Sequence, residues 1–217
     1  MNTPLGGWTA TAACANSEGN GISFYAAMRR PLANYASCSA MKAAMPNAES
    51  GWYVIDTDGA GPHPPVGVYC DMVTDGGGYT LLPVKGGIST KRYDEANSCA
   101  NVGMSIAVAR TKKHLESMYI RFGAGYLKTV PGVYGLAAGD YTGCAMNSSN
   151  ATCGANWKAV DDGAWFARAT ANVDPSGDYT AGCWLAVTSF DTNGVTLNDN
   201  HCNYTTGSEY LCSDNLK

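Results

Sequence analysis

The chain has 217 residues, 45% hydrophobic and only 15% charged, with 26 Gly, 13 Tyr and nine Cys. Low charge with plentiful aromatics excludes a disordered chain, and abundant Gly with scarce Leu, Glu and Lys excludes a coiled coil or helical bundle. A net charge of −4 leaves no basic footprint for nucleic acid, and no apolar run approaches the roughly 20 residues of a membrane span.

In chain order, residues 1–36 have Trp8, Ile22, Phe24, Tyr25 and Met28 as their main apolar groups. Gly19-Asn-Gly marks a turn, and Ile22-Ser-Phe-Tyr a strand that Arg29-Arg30-Pro31 ends. So short a segment has no core of its own and must pack on the remainder or on another chain. A short helix follows at Ser39–Met45, with Ser39 as its N-cap and Pro46 as its stop. Gly51–Asp56 alternates as a strand, with Tyr53 and Ile55 on one side and Trp52 and Val54 on the other. The turn from Asp56 leads to a returning strand at Val66–Met72. The turn Asp75-Gly-Gly-Gly leads to a third strand from Tyr79. Ala107 and Val108 form a candidate strand. Thr111–Tyr119 reads as a helix, with Lys112 and Glu116 four apart and Leu115 and Met118 on one face. Residues 123–143 read as loop, and Trp165–Ala169 as a strand. Gly182–Phe190 and Val195–Leu197 flank Asp191-Thr-Asn-Gly, the strongest hairpin signal in the chain. Asn198–Asn215 reads as a polar, compact loop. The fold class expected is α+β, with short antiparallel strands, few helices and long disulfide-stapled loops.

The cysteines fall at 14, 38, 70, 99, 144, 153, 183, 202 and 212. None lie two residues apart as in zinc knuckles, and His is limited to His63, His114 and His201. Scattered Cys in a Gly-rich, low-charge chain implies an oxidising, extracellular compartment. Met1-Asn-Thr-Pro has no basic start and no apolar run behind it, so the expectation is a fragment whose leader lies upstream.

Three stretches share spacing with a known family. They are Ser37-Cys-Ser-Ala-Met-Lys, Gly51-Trp-Tyr-Val-Ile-Asp-Thr-Asp-Gly, and Val68-Tyr-Cys-Asp-Met-Val-Thr-Asp-Gly-Gly-Gly-Tyr-Thr. Together they resemble the opening of a fibrinogen C-terminal-like domain over residues 37–82, with Tyr79 where that family carries Trp. The resemblance implies a fibrinogen-like fold and a Cys38–Cys70 disulfide, worth roughly 3–4 kcal/mol in the chain-entropy model. After Pro83 the animal pattern is lost, including its Arg-rich stretch and its Asp-x-Asp calcium loop. Tyr141-Thr-Gly-Cys, Cys153-Gly-Ala-Asn-Trp, Gly182-Cys-Trp-Leu and Asn198-Asp-Asn-His-Cys instead resemble a GON-type domain, as found at the ends of secreted metalloproteases and bacterial surface proteins. The division expected is a stalk-proximal segment at 1–36 and a recognition domain at 37–217.

Spacing alone does not fix the other disulfides. Cys202–Cys212 and Cys144–Cys153 are candidate short clips, Cys99–Cys183 remains by elimination, and Cys14 is left over. No nucleophile elbow or His-Glu-x-x-His motif is present. His201 and Cys202 are adjacent, but adjacent side chains in an extended segment point apart. The expectation is therefore recognition without catalysis. Candidate ligand-binding residues are Trp157, Asp161, Asp162, Asn198, Asp199, Asn200, His201 and Tyr204. Acids and amides would bond sugar hydroxyls, and aromatics would stack on sugar faces. Asp199 and Asn200 are the candidate Ca²⁺ ligands, because oxygen-rich loops suit that ion. The function expected is an adhesin or lectin-like fibre tip that binds a glycan or cell-surface ligand, with a homotrimer as a possible assembly. The alternative is a non-catalytic targeting module on a secreted hydrolase.

Overall fold

The computed structural model describes residues 28–29, 35–93, 95–136, 139–178 and 182–217. Cys14, the Gly19 turn and the Ile22 strand lie outside them. The described strands are β1 (Met28–Arg29), β2 (Gly51–Ile55), β3 (Val66–Asp71), β4 (Tyr79–Lys85), β5 (Ser105–Ile106), β6 (Val133–Gly135), β7 (Ala145–Asn147), β8 (Trp157–Ala159), β9 (Phe166–Ala171), β10 (Gly182–Asp191), β11 (Gly194–His201) and β12 (Glu209–Ser213). The described α-helices are α1 (Cys38–Ala44) and α2 (Lys112–Phe122). No helix among the described residues is long and apolar enough to cross a membrane.

Local chemistry sets the helix ends. Ser37, rather than Ser39, caps α1, because its hydroxyl accepts the Ala40 N–H at 2.9 Å. Thr111 caps α2 by accepting from the His114 N–H at 3.0 Å. The helix then runs three residues beyond the expected Tyr119, to Phe122, where Gly123 ends it.

The meander β2–β3–β4 forms as the alternation predicts. Tyr53 and Ile55 are buried on one face, while Trp52 and Val54 are half-buried on the other. The Gly-rich turn between β3 and β4 needs its glycines. At Gly77 φ is 81°, and a Cβ there would sit 2.1 Å from the Met72 carbonyl oxygen. Asp71 anchors this turn to α2. Its carboxylate accepts the N–H groups of Val73 (3.0 Å) and Thr74 (2.9 Å) and the Ser117 hydroxyl. Burial alone would raise its pKa, but these bonds hold it below its ordinary value.

The main sheet has six strands in the order β1-β2-β3-β4-β12-β5, antiparallel except where β1 joins β2. A four-stranded sheet follows the order β10-β11-β9-β7, and β6 pairs with β8. Two readings change here. The candidate strand at Ala107–Val108 lies two residues earlier, at Ser105–Ile106. Two polar stretches read as loop, Asn198–His201 and Glu209–Ser213, are strand. In β11, Leu197 and Asp199 are buried while Asn198 and Asn200 are half-buried, so the polar run still alternates.

Side chains build two cores. One packs α2 (Leu115, Met118) between the main sheet (Leu81, Leu211) and the second sheet (Ala167, Leu185, Val195, Leu197). The other lies on the opposite face of the main sheet. It gathers α1 (Cys38, Met41), Tyr53, Ile55, Val68, Tyr93, Met104, Tyr210 and Trp184.

The disulfides are Cys38–Cys70, Cys99–Cys212, Cys144–Cys153 and Cys183–Cys202. The first joins α1 to β3 and the third is a nine-residue clip. The expected Cys202–Cys212 and Cys99–Cys183 pairs do not form. Cys212 lies on β12, inside the main sheet beside the turn that carries Cys99. Cys183 and Cys202 meet at the open end of the β10–β11 hairpin. Cys99–Cys212 spans 113 residues and Cys144–Cys153 spans nine. The chain-entropy model assigns them about 5 and about 2.6 kcal/mol. Denaturant unfolding of the paired Cys→Ala variants is therefore expected to show the larger loss for Cys99/Cys212.

Candidate ligand cleft

The segment after β4 crosses the end of the molecule and is fixed there by polar contacts at both ends. Gly87 N–H donates to the Ser208 carbonyl at 2.8 Å, and Thr206 N–H to the Thr90 carbonyl at 3.1 Å. Tyr93 then turns inward. Its hydroxyl donates to the Val130 carbonyl at 2.7 Å and lies 3.0 Å from Thr129 Oγ1. Burial pushes that hydroxyl well above its ordinary pKa, so it stays a neutral donor. Trp184, at the start of β10, donates its indole N–H to the Lys91 carbonyl. Its ring centroid lies 4.1 Å from that of Tyr93, tilted by 54°. Tyr134, held on β6 opposite Lys158 of β8, lies 6.4 Å from Tyr93.

Half-buried Tyr134 lines a cleft of about 520 Å³, with the buried rings of Tyr93 and Trp184 packed beneath its surface; the volume is within the usual range for small-molecule sites. Leu136 and Val160 add apolar wall, the Cys183–Cys202 disulfide closes one side, and Lys91, Arg92 and Ser105 also line it. The base beneath it is rigid because both buried polar tips, of Tyr93 and Trp184, are spent on backbone carbonyls.

The structure disperses the residues singled out from the sequence. Trp157 is 1% exposed and packs in the first core, so it presents no face to a ligand. Asp161 is paired with Arg110, which also bonds the carbonyls of Ala164, Asn215 and Lys217. Burial acts to raise the Asp161 pKa, but the bond and charge of Arg110 and the Gly163 N–H together outweigh it and hold the carboxyl below its ordinary value. Asp162 is in an ion pair with Lys158 at 2.9 Å. Behind Arg110, His114 is buried against Tyr79 with ring centroids 3.5 Å apart, and desolvation lowers its pKa to about 3. It is therefore neutral at physiological pH.

Asn198, Asn200 and His201 project from β11 with partial or full exposure, whereas Asp199 is 1% exposed. Asp199 and Asn200 are successive strand residues, which point to opposite faces, so they do not converge on one Ca²⁺. Among the described residues, no three His, Cys, Asp or Glu side chains gather as a metal site. Tyr204 is half-buried, with the Lys128 ammonium 5.1 Å from its ring. The predicted loop reaches the cleft only through Cys202, which lies in its wall as a disulfide partner of Cys183.

Sequence reasoning passed over Tyr93, Tyr134 and the pair Lys91-Arg92. The usable signal was Lys91-Arg-Tyr, a basic-aromatic run in a chain otherwise poor in charge.

Asp199 yields a pH prediction. Burial raises its pKa, the nearby Asp178 and Asp174 add to that, and the Ser176 N–H at 3.0 Å opposes it. The folded chain thus holds this proton more tightly than the unfolded one. That contribution is complete below the ordinary value of 3.8 and is lost as pH rises through the higher folded value. Asp199→Asn keeps an acceptor for Ser176 and removes the charge. Its melting temperature is expected to exceed the parent's at pH 7, with the gap closing towards pH 3.5; a constant gap across that range contradicts the assignment.

No protein-family model, curated protein or solved structure matches this chain.

Proposed function

We propose that this chain is an extracellular recognition module, an adhesin or lectin-like tip, that binds a glycan or cell-surface ligand without acting on it chemically. The observation that carries the reading is the pre-organised cleft lined by Tyr134, which is backed by the buried rings of Tyr93 and Trp184. A cleft whose backing rotamers are already fixed loses little entropy when a ligand settles in it. Four disulfides fit an oxidising compartment. A fibrinogen-like opening is supported by the Ser37 cap, the β2–β3–β4 meander and the Cys38–Cys70 link. A trimer at a fibre end would let weak clefts act together.

The reading is tested by glycan-array and cell-surface binding of three variants. Tyr134→Ala is expected to abolish binding, while Asn200→Ala and Tyr204→Ala stay within about twofold of the parent, as peripheral positions do. Loss in Asn200→Ala with retention in Tyr134→Ala would move the site to the outer face of β11.

A further inference from the structure

We propose that Cys183–Cys202 is a thiol–disulfide exchange site in the wall of the cleft, and that its reduction by a dithiol opens that wall without unfolding the chain.

Access is the first argument. Exchange requires a thiolate to reach one of the two sulfurs, so buried pairs resist it and exposed pairs are the labile ones. Cys38, Cys70, Cys99 and Cys212 are fully buried. Cys153 is also fully buried, and its partner Cys144 is half-buried. Cys183 and Cys202 are both half-buried, and both line the cleft of about 520 Å³. Of the four described pairs, this one alone has both members on a hollow surface that a small thiol can enter.

What the bond holds is the second argument. Cys99–Cys212 anchors β12 within the main sheet, and Cys38–Cys70 joins α1 to β3. Cys183–Cys202 instead joins the two ends of a hairpin that is paired without it. Strands β10 and β11 are in register from Trp184–Asn200 to Asp191–Gly194, and the Asp191 turn closes the far end. Breaking the bond therefore leaves both cores their strands. It frees the cleft wall at Cys183, next to Trp184, and at Cys202, in the turn where the Tyr204 N–H meets the His201 carbonyl at 2.9 Å. In the exchange, one thiolate of the dithiol attacks a sulfur of the pair. A mixed disulfide forms, the Cys183–Cys202 bond breaks, and the other sulfur leaves as a thiolate. The second thiolate of the dithiol then displaces the first. The dithiol is oxidised to its disulfide, and the two electrons and two protons it loses end on Cys183 and Cys202.

The test is a titration of the full chain with dithiothreitol. Thiols present at the start are blocked, cysteines released by reduction are alkylated with a mass-labelled reagent, and the labelled peptides are assigned by mass spectrometry. Cys183 and Cys202 are expected to label together, at a concentration roughly tenfold below that needed for the other described pairs. At that concentration the far-ultraviolet circular dichroism is expected to stay that of the oxidised chain, while the melting temperature falls by roughly 5–10 °C. In NMR spectra the Trp184 indole N–H and the amides of Gly135 and Leu136 should shift, with those of Ile55 and Leu115 in the two cores unmoved. Labelling of Cys144 and Cys153 first, or of all pairs at one concentration, overturns the exchange site. Labelling of Cys183 and Cys202 first, but with the cleft resonances unmoved or the circular dichroism signal lost, overturns the opening of the wall. No glycan enters these readouts, so they stand or fall separately from the binding proposal.

Discussion

Strand β12 and the first part of β10 are buried on both faces, and the rest is arranged around that constraint. In β12, Tyr210, Leu211, Cys212 and Ser213 are buried in succession. Leu211 enters the core around α2, while Tyr210 and Cys212 enter the core around α1. In β10, Leu185 and Trp184 divide between the same two cores. Neighbouring residues on a strand point to opposite faces, so each core borrows residues from strands that the other also requires. Neither core is complete alone. Cys99–Cys212 locks one of these shared strands, and the Trp184–Lys91 hydrogen bond fixes the other to the segment that forms the cleft.

This double burial also explains what could be read in the sequence and what could not. The meander β2–β3–β4 was legible because one face is buried and the glycine turn has chemistry of its own. The Asp191 hairpin was legible because its turn residues are specific. Strand β12 was not, since a strand buried on both sides loses the period-two signal, and its one short run sits among polar residues. The far half of β11 was missed for the opposite reason. Its alternation is intact, but its buried member is Asp199, a residue that ordinarily signals a loop. Those two errors produced the wrong disulfides, because Cys202 and Cys212 looked like two points on one terminal loop. Cys202 follows directly after β11 of the second sheet, Cys212 lies in β12 of the main sheet, and they pair elsewhere.

The candidate site shifted in the same way. Trp184 reads as core from its strand context, and it is core, packed beneath the cleft that Tyr134 lines. Asp161, Asp162 and Trp157 looked available because the sequence does not show their partners. Arg110 and Lys158 take the two carboxylates, and the first core takes the indole. Arg168 is likewise engaged, with Asp191 at 2.8 Å. Much of the sparse charge of this chain thus goes into holding loops to one another.

The central claim is that ligand meets the cleft lined by Tyr134 rather than the outer face of β11. NMR mapping tests it most directly, with the indole N–H of Trp184 and the amides of 91–93, 134–136 and 198–204 followed during titration with a glycan that the array identifies. The account predicts shifts concentrated at Trp184, Tyr93 and Tyr134, with the resonances of Asn198 and Asn200 little changed. Shifts confined to Asn198–Tyr204, with Trp184 silent, would contradict it.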